Sequence, residues 1–270
     1  MSGKDIRLEK LFSKGENALI IAVDHGLANG PYRGLENLSE AMGRFYPYID
    51  GVLLSPGILK NVKHMFNYKG APIPIARVTI NSSFFFDWGY DKAYVNRIYS
   101  IKDAIALGAE MALFSLALNT GCEKTDVENM EIFARLCNEC REYGIPAIGE
   151  CYPAHCDHMP EAEMHDIVCR STRIMAELGA DAIKTFYTHS IKEVVDGCPL
   201  PILGLGGSLT DDPLESLNLA QKMISGGYKG VVFGRNAFQR PDPSAYQQAL
   251  CEVVKHNADP YEMVKKFNLK

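Results

Sequence analysis

The chain has 270 residues, 47% of them hydrophobic and 23% charged, with a formal net charge of −5. This is enough apolar material for a large core, and a slightly acidic chain with no Lys/Arg cluster argues against a nucleic-acid partner. The longest apolar runs, 18–23 and 111–118, fall far short of the roughly 18 residues that a membrane helix needs, so no membrane partner is expected.

In chain order, the opening MSGKDIRLEK has no apolar core of the kind a secretion signal carries, which points to a cytoplasmic protein. The first apolar β-rich run, 18–23, ends in Asp24-His25-Gly26. A second run covers 51–54, and a third, 73–78, leads into a polar patch of Thr79, Asn81 and Ser82. The fourth is 111–116. The fifth, 147–151, carries Glu150 and passes into Cys151-Tyr152-Pro153. The sixth, 182–185, contains Lys184; the seventh, 202–205, runs into Gly206-Gly207-Ser208; the eighth, 230–233, runs into Gly234-Arg235-Asn236. Helical periods lie between them, clearest over 126–143, 161–178 and 214–227, the last ending in glycines as helices often do.

Short continuous apolar strands alternating with helices imply parallel strands covered on their outer faces. Eight such units with no Pro- or Ser-rich linker predict a single (β/α)8 TIM barrel over 1–270. A doubly wound open sheet is the runner-up, but no GxGxxG follows the first strand. Eight cysteines in a chain without a secretion signal read as reduced thiols, and the single CxxC at Cys137 and Cys140 lacks the further ligands of structural zinc.

In such a barrel the active site is built on the C-terminal ends of the strands, where these polar groups would converge. Lys184 then has a reason to sit in an apolar run. A lysine taken out of water favours its neutral form, and the neutral amine is the nucleophile that condenses with a carbonyl to form a Schiff base. The alternative is a structural lysine paired with a carboxylate, or one whose stem snorkels to water. Because strand side chains alternate, Glu150 and Tyr152 share a face, and Glu150 is either a second acid–base group or a structural partner for Lys184. The glycine turns at 206–208 and 234, the second followed by Arg235, suit a phosphate held by backbone N–H groups and a guanidinium. His25 reads as a substrate-binding or a turn residue.

The segments Ala22-Val23-Asp24-His25-Gly26 with Gly30-Pro31, Tyr152-Pro153, Gly179-Ala180-Asp181-Ala182-Ile183-Lys184, Gly206-Gly207-Ser208 and Gly234-Arg235-Asn236 together resemble the class I, Schiff-base-forming aldolases of the DeoC/FbaB/LacD type, nearest to the archaeal-type fructose-bisphosphate aldolases. The resemblance implies Lys184 as the Schiff-base lysine, Tyr152 as the proton shuttle and Asp24 as the carboxylate that binds a substrate hydroxyl. It implies Gly206, Gly207, Ser208, Gly234 and Arg235 as the phosphate site, with His25 and Asn81 as further substrate contacts. It also implies a sugar-phosphate substrate, no cofactor, no metal and a homo-oligomer. Two positions depart from the pattern: Glu150 stands where the family has an aromatic residue, and Ala154 where it commonly has arginine. Within the family, a transaldolase-like synthase or a thiolase would use the same lysine. Outside that chemistry stand a metal-dependent lyase using His155, Cys156, Asp157 and His158, and a non-catalytic sugar-phosphate-binding barrel.

Overall fold

The computed structural model describes residues 3–81, 93–154, 156 and 159–270. Eight strands, β1 (Ala18–Ala22), β2 (Gly51–Leu54), β3 (Ile73–Arg77), β4 (Met111–Leu116), β5 (Ala147–Cys151), β6 (Ala182–Thr185), β7 (Ile202–Leu205) and β8 (Gly230–Phe233), form a closed barrel. Each strand pairs in parallel with its neighbour in the chain, and β8 closes onto β1 with Ala18 opposite Gly230 and Ile21 opposite Phe233. This is the expected TIM barrel. The open sheet considered as runner-up is excluded, because neither β1 nor β8 is left as an edge.

Alternation along each strand sorts its side chains into two cores. Ile20, Leu53, Ile75, Leu113, Ile148 and Ala182 face inward and form one apolar cluster. Their neighbours Leu19, Leu54, Ala76, Phe114, Ala147 and Ile183 face outward, into a larger cluster shared with the surrounding helices. Those helices include Glu123–Tyr143, Glu161–Glu177, Pro213–Ser225 and Pro243–His256. The N-terminal helix Gly3–Leu11 lies across the barrel's base, where Leu11, with 0% of its surface exposed, joins the inner cluster together with Leu8 and Phe12.

Some boundaries differ from the sequence reading. The helix expected from 126 begins at Glu123, because the Asp126 carboxylate is occupied with the preceding loop, accepting from the Asn119 and Thr120 amides at 3.1 Å each. β3 ends at Arg77 rather than at 78, and Thr79–Ile80 makes a separate antiparallel pair with Asn96–Arg97. Cys137 and Cys140 are buried on the barrel side of their helix, and burial pushes the Cys137 thiol up to about 12 and Cys140 higher, so both stay thiols. Among the described residues no helix is long and apolar enough to cross a membrane.

Leu11 supports the lower layers of the barrel and is far from the strand C-termini. Leu11→Ala is expected to cost about 2–5 kcal/mol in urea unfolding, with turnover per folded molecule unchanged.

Candidate active site

The inward face of each strand turns from apolar to polar at the same level. Asp24 comes two residues after Ala22, Arg77 after Ile75, Ser115 after Leu113, Glu150 after Ile148 and Lys184 after Ala182. A period of two therefore carries all five side chains into the barrel above its apolar layers. They line a cavity of about 690 Å³ that opens at the C-terminal mouth.

Arg77 lies at the centre of this layer. Its Nε donates to Asp24 Oδ2, its Nη2 to Glu150 Oε1 at 2.8 Å and its Nη1 to Ser115 Oγ at 3.2 Å. Nη1 is also 2.7 Å from Glu150 Oε2, so the guanidinium grips that carboxylate at both oxygens. Ser115 Oγ donates to Glu150 Oε2 at 2.7 Å, while the Ser115 amide donates to Thr79 Oγ1 at 3.0 Å. Lys184 Nζ donates to Glu150 Oε1 at 2.5 Å. Asp24, Glu150 and Lys184 are all buried. Burial alone would raise the Asp24 and Glu150 carboxyls. The Arg77 charge, followed by that of Lys184, outweighs it and holds both below the ordinary carboxylate range. In return the two carboxylates, against the effect of burial, push the Arg77 guanidinium further up.

Of the settings the sequence left open for Lys184, an apolar surround, a carboxylate partner or a stem that snorkels to water, the structure shows the carboxylate partner. Its amine rests on a carboxylate, not in a purely apolar sleeve. Tyr152, two residues beyond Glu150 on the same inner face, lines the cavity with its ring 5.7 Å from that of Phe186.

On the opposite wall, His25 packs between Tyr32, stacked at 5.3 Å, and Phe238, edge-on at 5.2 Å. Its ring reaches Gly234 so closely that a Cβ there would lie 2.4 Å from His25 Cε1. Gly234 is thus required by the histidine ring, a reason the sequence did not disclose. His25 Nδ1 is 3.8 Å from Asp24 Oδ1 and makes no hydrogen bond to any of the described residues. Burial lowers the imidazole from 6.5 to about 4, the nearby Lys184, Arg235 and Arg77 charges adding to the effect against Asp24.

Gly206, Gly207, Ser208, Gly234 and Arg235 line one side of the cavity. Gly207 has φ +66°, a left-handed conformation that other residues adopt at a cost. Asn236, buried behind this turn, donates Nδ2 to the carbonyls of Gly206 (3.2 Å) and Ser208 (2.7 Å). In a trans peptide the N–H points opposite its carbonyl, so Asn236 turns the Gly207 N–H away from itself. Arg235 Nε is buried, with no hydrogen-bond partner among the described residues.

All eleven residues singled out from the sequence line this one cavity: Asp24, His25, Asn81, Glu150, Tyr152, Lys184, Gly206, Gly207, Ser208, Gly234 and Arg235. Arg77, Ser115 and the bracing role of Asn236 were missed. Arg77 carried the same signal as Lys184, a charge at inward parity in the apolar run IPIARV. Ala154 is buried with Ala93, Val95 and Ala117 and does not line the cavity. Of the His155–His158 cluster, His155, Asp157 and His158 lie outside the described residues, as does Ser82. Among the described residues no group of three or more His, Cys, Asp or Glu side chains is placed to hold a metal.

Comparison with known proteins places the chain in a family. The model of the DeoC/LacD family aldolases matches residues 18–240. The chain is 34% identical over 270 residues to an uncharacterized aldolase of Saccharolobus solfataricus, covering 98% of this chain and 99% of the relative. It is 31% identical over 266 residues to 2-amino-3,7-dideoxy-D-threo-hept-6-ulosonate synthase 1 of Archaeoglobus fulgidus, covering 98% and 96%. A Schiff-base-forming fructose-1,6-bisphosphate aldolase, solved with its reaction intermediates, superimposes with a TM-score of 0.76 at 25% identity, over 92% of this chain and 99% of its own.

The low pKa of His25 sets a pH dependence. The unfolded chain takes up this proton near 6.5 and the folded one only near 4, so between those values the unfolded state binds more protons and stability falls as pH falls. The shift corresponds to about 3 kcal/mol across that window. His25→Phe, which keeps a ring between Tyr32 and Phe238, is expected to flatten the decline in Tm from pH 6.5 to pH 4 measured by differential scanning calorimetry; an unchanged slope would contradict it.

Proposed function

Because the chain belongs to the DeoC/LacD aldolase family, we propose that it is a class I aldolase in which Lys184 forms a Schiff base with a phosphorylated keto sugar, and that a C–C bond next to the imine is made or broken. The observation that carries this reading is the placement of Lys184. It is the one lysine among the described residues lining the cavity, its amine is held by Glu150 Oε1 at 2.5 Å, and Tyr152 lines the same space.

The chemistry follows from these positions. The neutral amine of Lys184 attacks the substrate carbonyl, water leaves, and the resulting iminium draws electrons from the adjacent carbon. The positive charge that Lys184 gives up with its proton returns on the iminium nitrogen when that proton leaves with the carbonyl oxygen as water, within reach of the same Glu150 carboxylate. Glu150 thus stabilises the imine electrostatically; the Arg77 contacts that keep it ionised make it a weak base. Tyr152, whose phenol can both donate and accept a proton, suits proton transfer to and from the reacting carbon and its oxygen. Asp24, also held ionised, accepts a hydrogen bond from the substrate hydroxyl whose proton is lost on cleavage. Gly206, Gly207, Ser208, Gly234 and Arg235 take the phosphate, with the unpartnered Arg235 Nε available to it. His25 and Asn81 contact the substrate hydroxyls.

A second reading keeps the lysine and reverses the emphasis: a transaldolase-like synthase that joins a keto fragment to a second carbonyl compound. Identity to the hept-6-ulosonate synthase, at 31% over 266 residues, favours it, against 25% for the fructose-bisphosphate aldolase. Aldehyde release from a panel of ketose phosphates, set beside condensation assays with the same fragments, separates the two.

Borohydride reduction in the presence of substrate is expected to fix a covalent adduct on Lys184, and Lys184→Met is expected to lose both adduct and turnover. Tyr152→Phe should still trap the imine while turnover collapses. Full activity in Lys184→Met would end the Schiff-base reading, and normal turnover in Tyr152→Phe would remove the tyrosine from it. Arg235→Ala is expected to raise KM for phosphorylated substrates by about tenfold or more, with little change for unphosphorylated analogues; an equal effect on both would place the phosphate elsewhere.

A further inference from the structure

We propose that Arg77 is a positioning residue that balances the charge of the site so that Lys184 can give up its proton, a role that rests on the Schiff-base reading above and deepens it. Arg77 is on a different strand from Lys184 and acts through the two carboxylates it holds. All of its nitrogens are engaged: Nε by Asp24, Nη1 by Ser115 and Glu150, and Nη2 by Glu150. Four of its five N–H donors are spent in this way, so the bridge between two carboxylates, more than any hold on substrate, is what calls for an explanation.

The chemistry of imine formation supplies one. Overall, an ammonium and a ketone give an iminium and one water, with no net change of charge or protons. Along the way the ammonium must lose a proton to become the nucleophile, its lone pair forms the C–N bond, and the carbonyl oxygen departs as water carrying both protons. The buried group comprises two anions, Asp24 and Glu150, and two cations, Arg77 and Lys184. With Arg77 in place, loss of the Lys184 proton leaves two carboxylates facing one fixed cation. Without Arg77 the same step would leave two carboxylates facing none, at low solvent exposure, which charge interactions at this distance resist strongly. A permanently charged arginine supplies that balance at any working pH, which a titrating histidine would not.

The other groups facing this cluster do not replace it. From the loop after β1, His25 is neutral above about 4. Ser115 on β4 has no charge to offer, and the Tyr152 phenol after β5 is not a cation in either protonation state. Arg235, after β8, lines the cavity near His25 and is paired with neither Asp24 nor Glu150. Arg77 is therefore the fixed cation in contact with both Asp24 and Glu150.

The test is the pH dependence of reductive trapping with dihydroxyacetone and cyanoborohydride, read by intact-protein mass; dihydroxyacetone is uncharged, so its own titration does not intrude. Arg77→Met is expected to move half-maximal trapping up by about one to two pH units, and Asp24→Asn, which removes an anion instead, to move it down. The double variant Arg77→Met/Asp24→Asn restores the balance and is expected to trap at the wild-type pH although its turnover stays low. A purely structural arginine would not produce opposite shifts that cancel. Arg77→Lys, which keeps the charge and loses the fork, is expected to hold the trapping pH while lowering kcat. Should Arg77→Met fail to fold, the downward shift in Asp24→Asn and the unchanged pH in Arg77→Lys carry the test. Unshifted trapping in Arg77→Met or Asp24→Asn, or shifts of the same sign, overturns the proposal and leaves the Schiff base standing. Absence of any trapping in the wild-type enzyme overturns both.

Discussion

Two carboxylates and two cations share the mouth of a barrel whose lower layers are apolar, and the rest of the site is arranged around their mutual satisfaction. Asp24 and Glu150 would each be expensive to bury alone; bridged by Arg77, with Lys184 closing the far side, they stay ionised at almost no solvent exposure. Ser115 completes the arrangement by donating to Glu150 Oε2, the oxygen that Arg77 Nη1 also holds. The network ties β1, β3, β4, β5 and β6 together at one level, so the side chains proposed for chemistry are fixed by the same contacts that close the upper barrel. Removing any one member leaves a buried charge uncompensated, and this couples stability to the proposed activity.

Much of this was legible in the sequence, because a parallel barrel imposes simple rules. Eight apolar runs with helical segments between them gave the architecture, and the residues after each run gave the side chains of the cavity. Lys184 stood out as a charge in an apolar strand, and the pairing of Glu150 with Tyr152 followed from alternation alone. What escaped notice had physical reasons. Arg77 carried the same signal, but it falls inside a run whose end was set one residue too late, so attention moved to Thr79 and Asn81 beyond it. Ser115 gives no signal at all in MALFSL, since a small hydroxyl is tolerated in any buried strand. That Gly234 makes room for the His25 ring depends on a contact between residues 209 positions apart, which no local pattern encodes.

The two departures from the family pattern take on different meanings in the fold. Glu150, where an aromatic residue is usual, is the hub that receives Arg77, Ser115 and Lys184, so the change is accommodated by a charge network and not by a local adjustment. Ala154 lies in a small apolar cluster with Ala93, Val95 and Ala117, away from the cavity, and an arginine there would have to leave that cluster to meet a substrate. The cavity wall itself is lined by Gly206, Gly207, Ser208 and Arg235, with His25 and Tyr32 beside them and Asn81 further round the mouth.

The account rests on Lys184 as the atom that meets the carbonyl, with Glu150 beside it throughout. The most direct measurement is a crystal structure of the enzyme reduced with borohydride in the presence of dihydroxyacetone phosphate. The account predicts continuous density from Lys184 Nζ into the substrate carbon, Glu150 still within hydrogen-bond distance of that nitrogen, and the phosphate between Gly207 and Arg235. An adduct on another lysine, or an unmodified Lys184 still paired with Glu150 while the enzyme is inactivated, would contradict it.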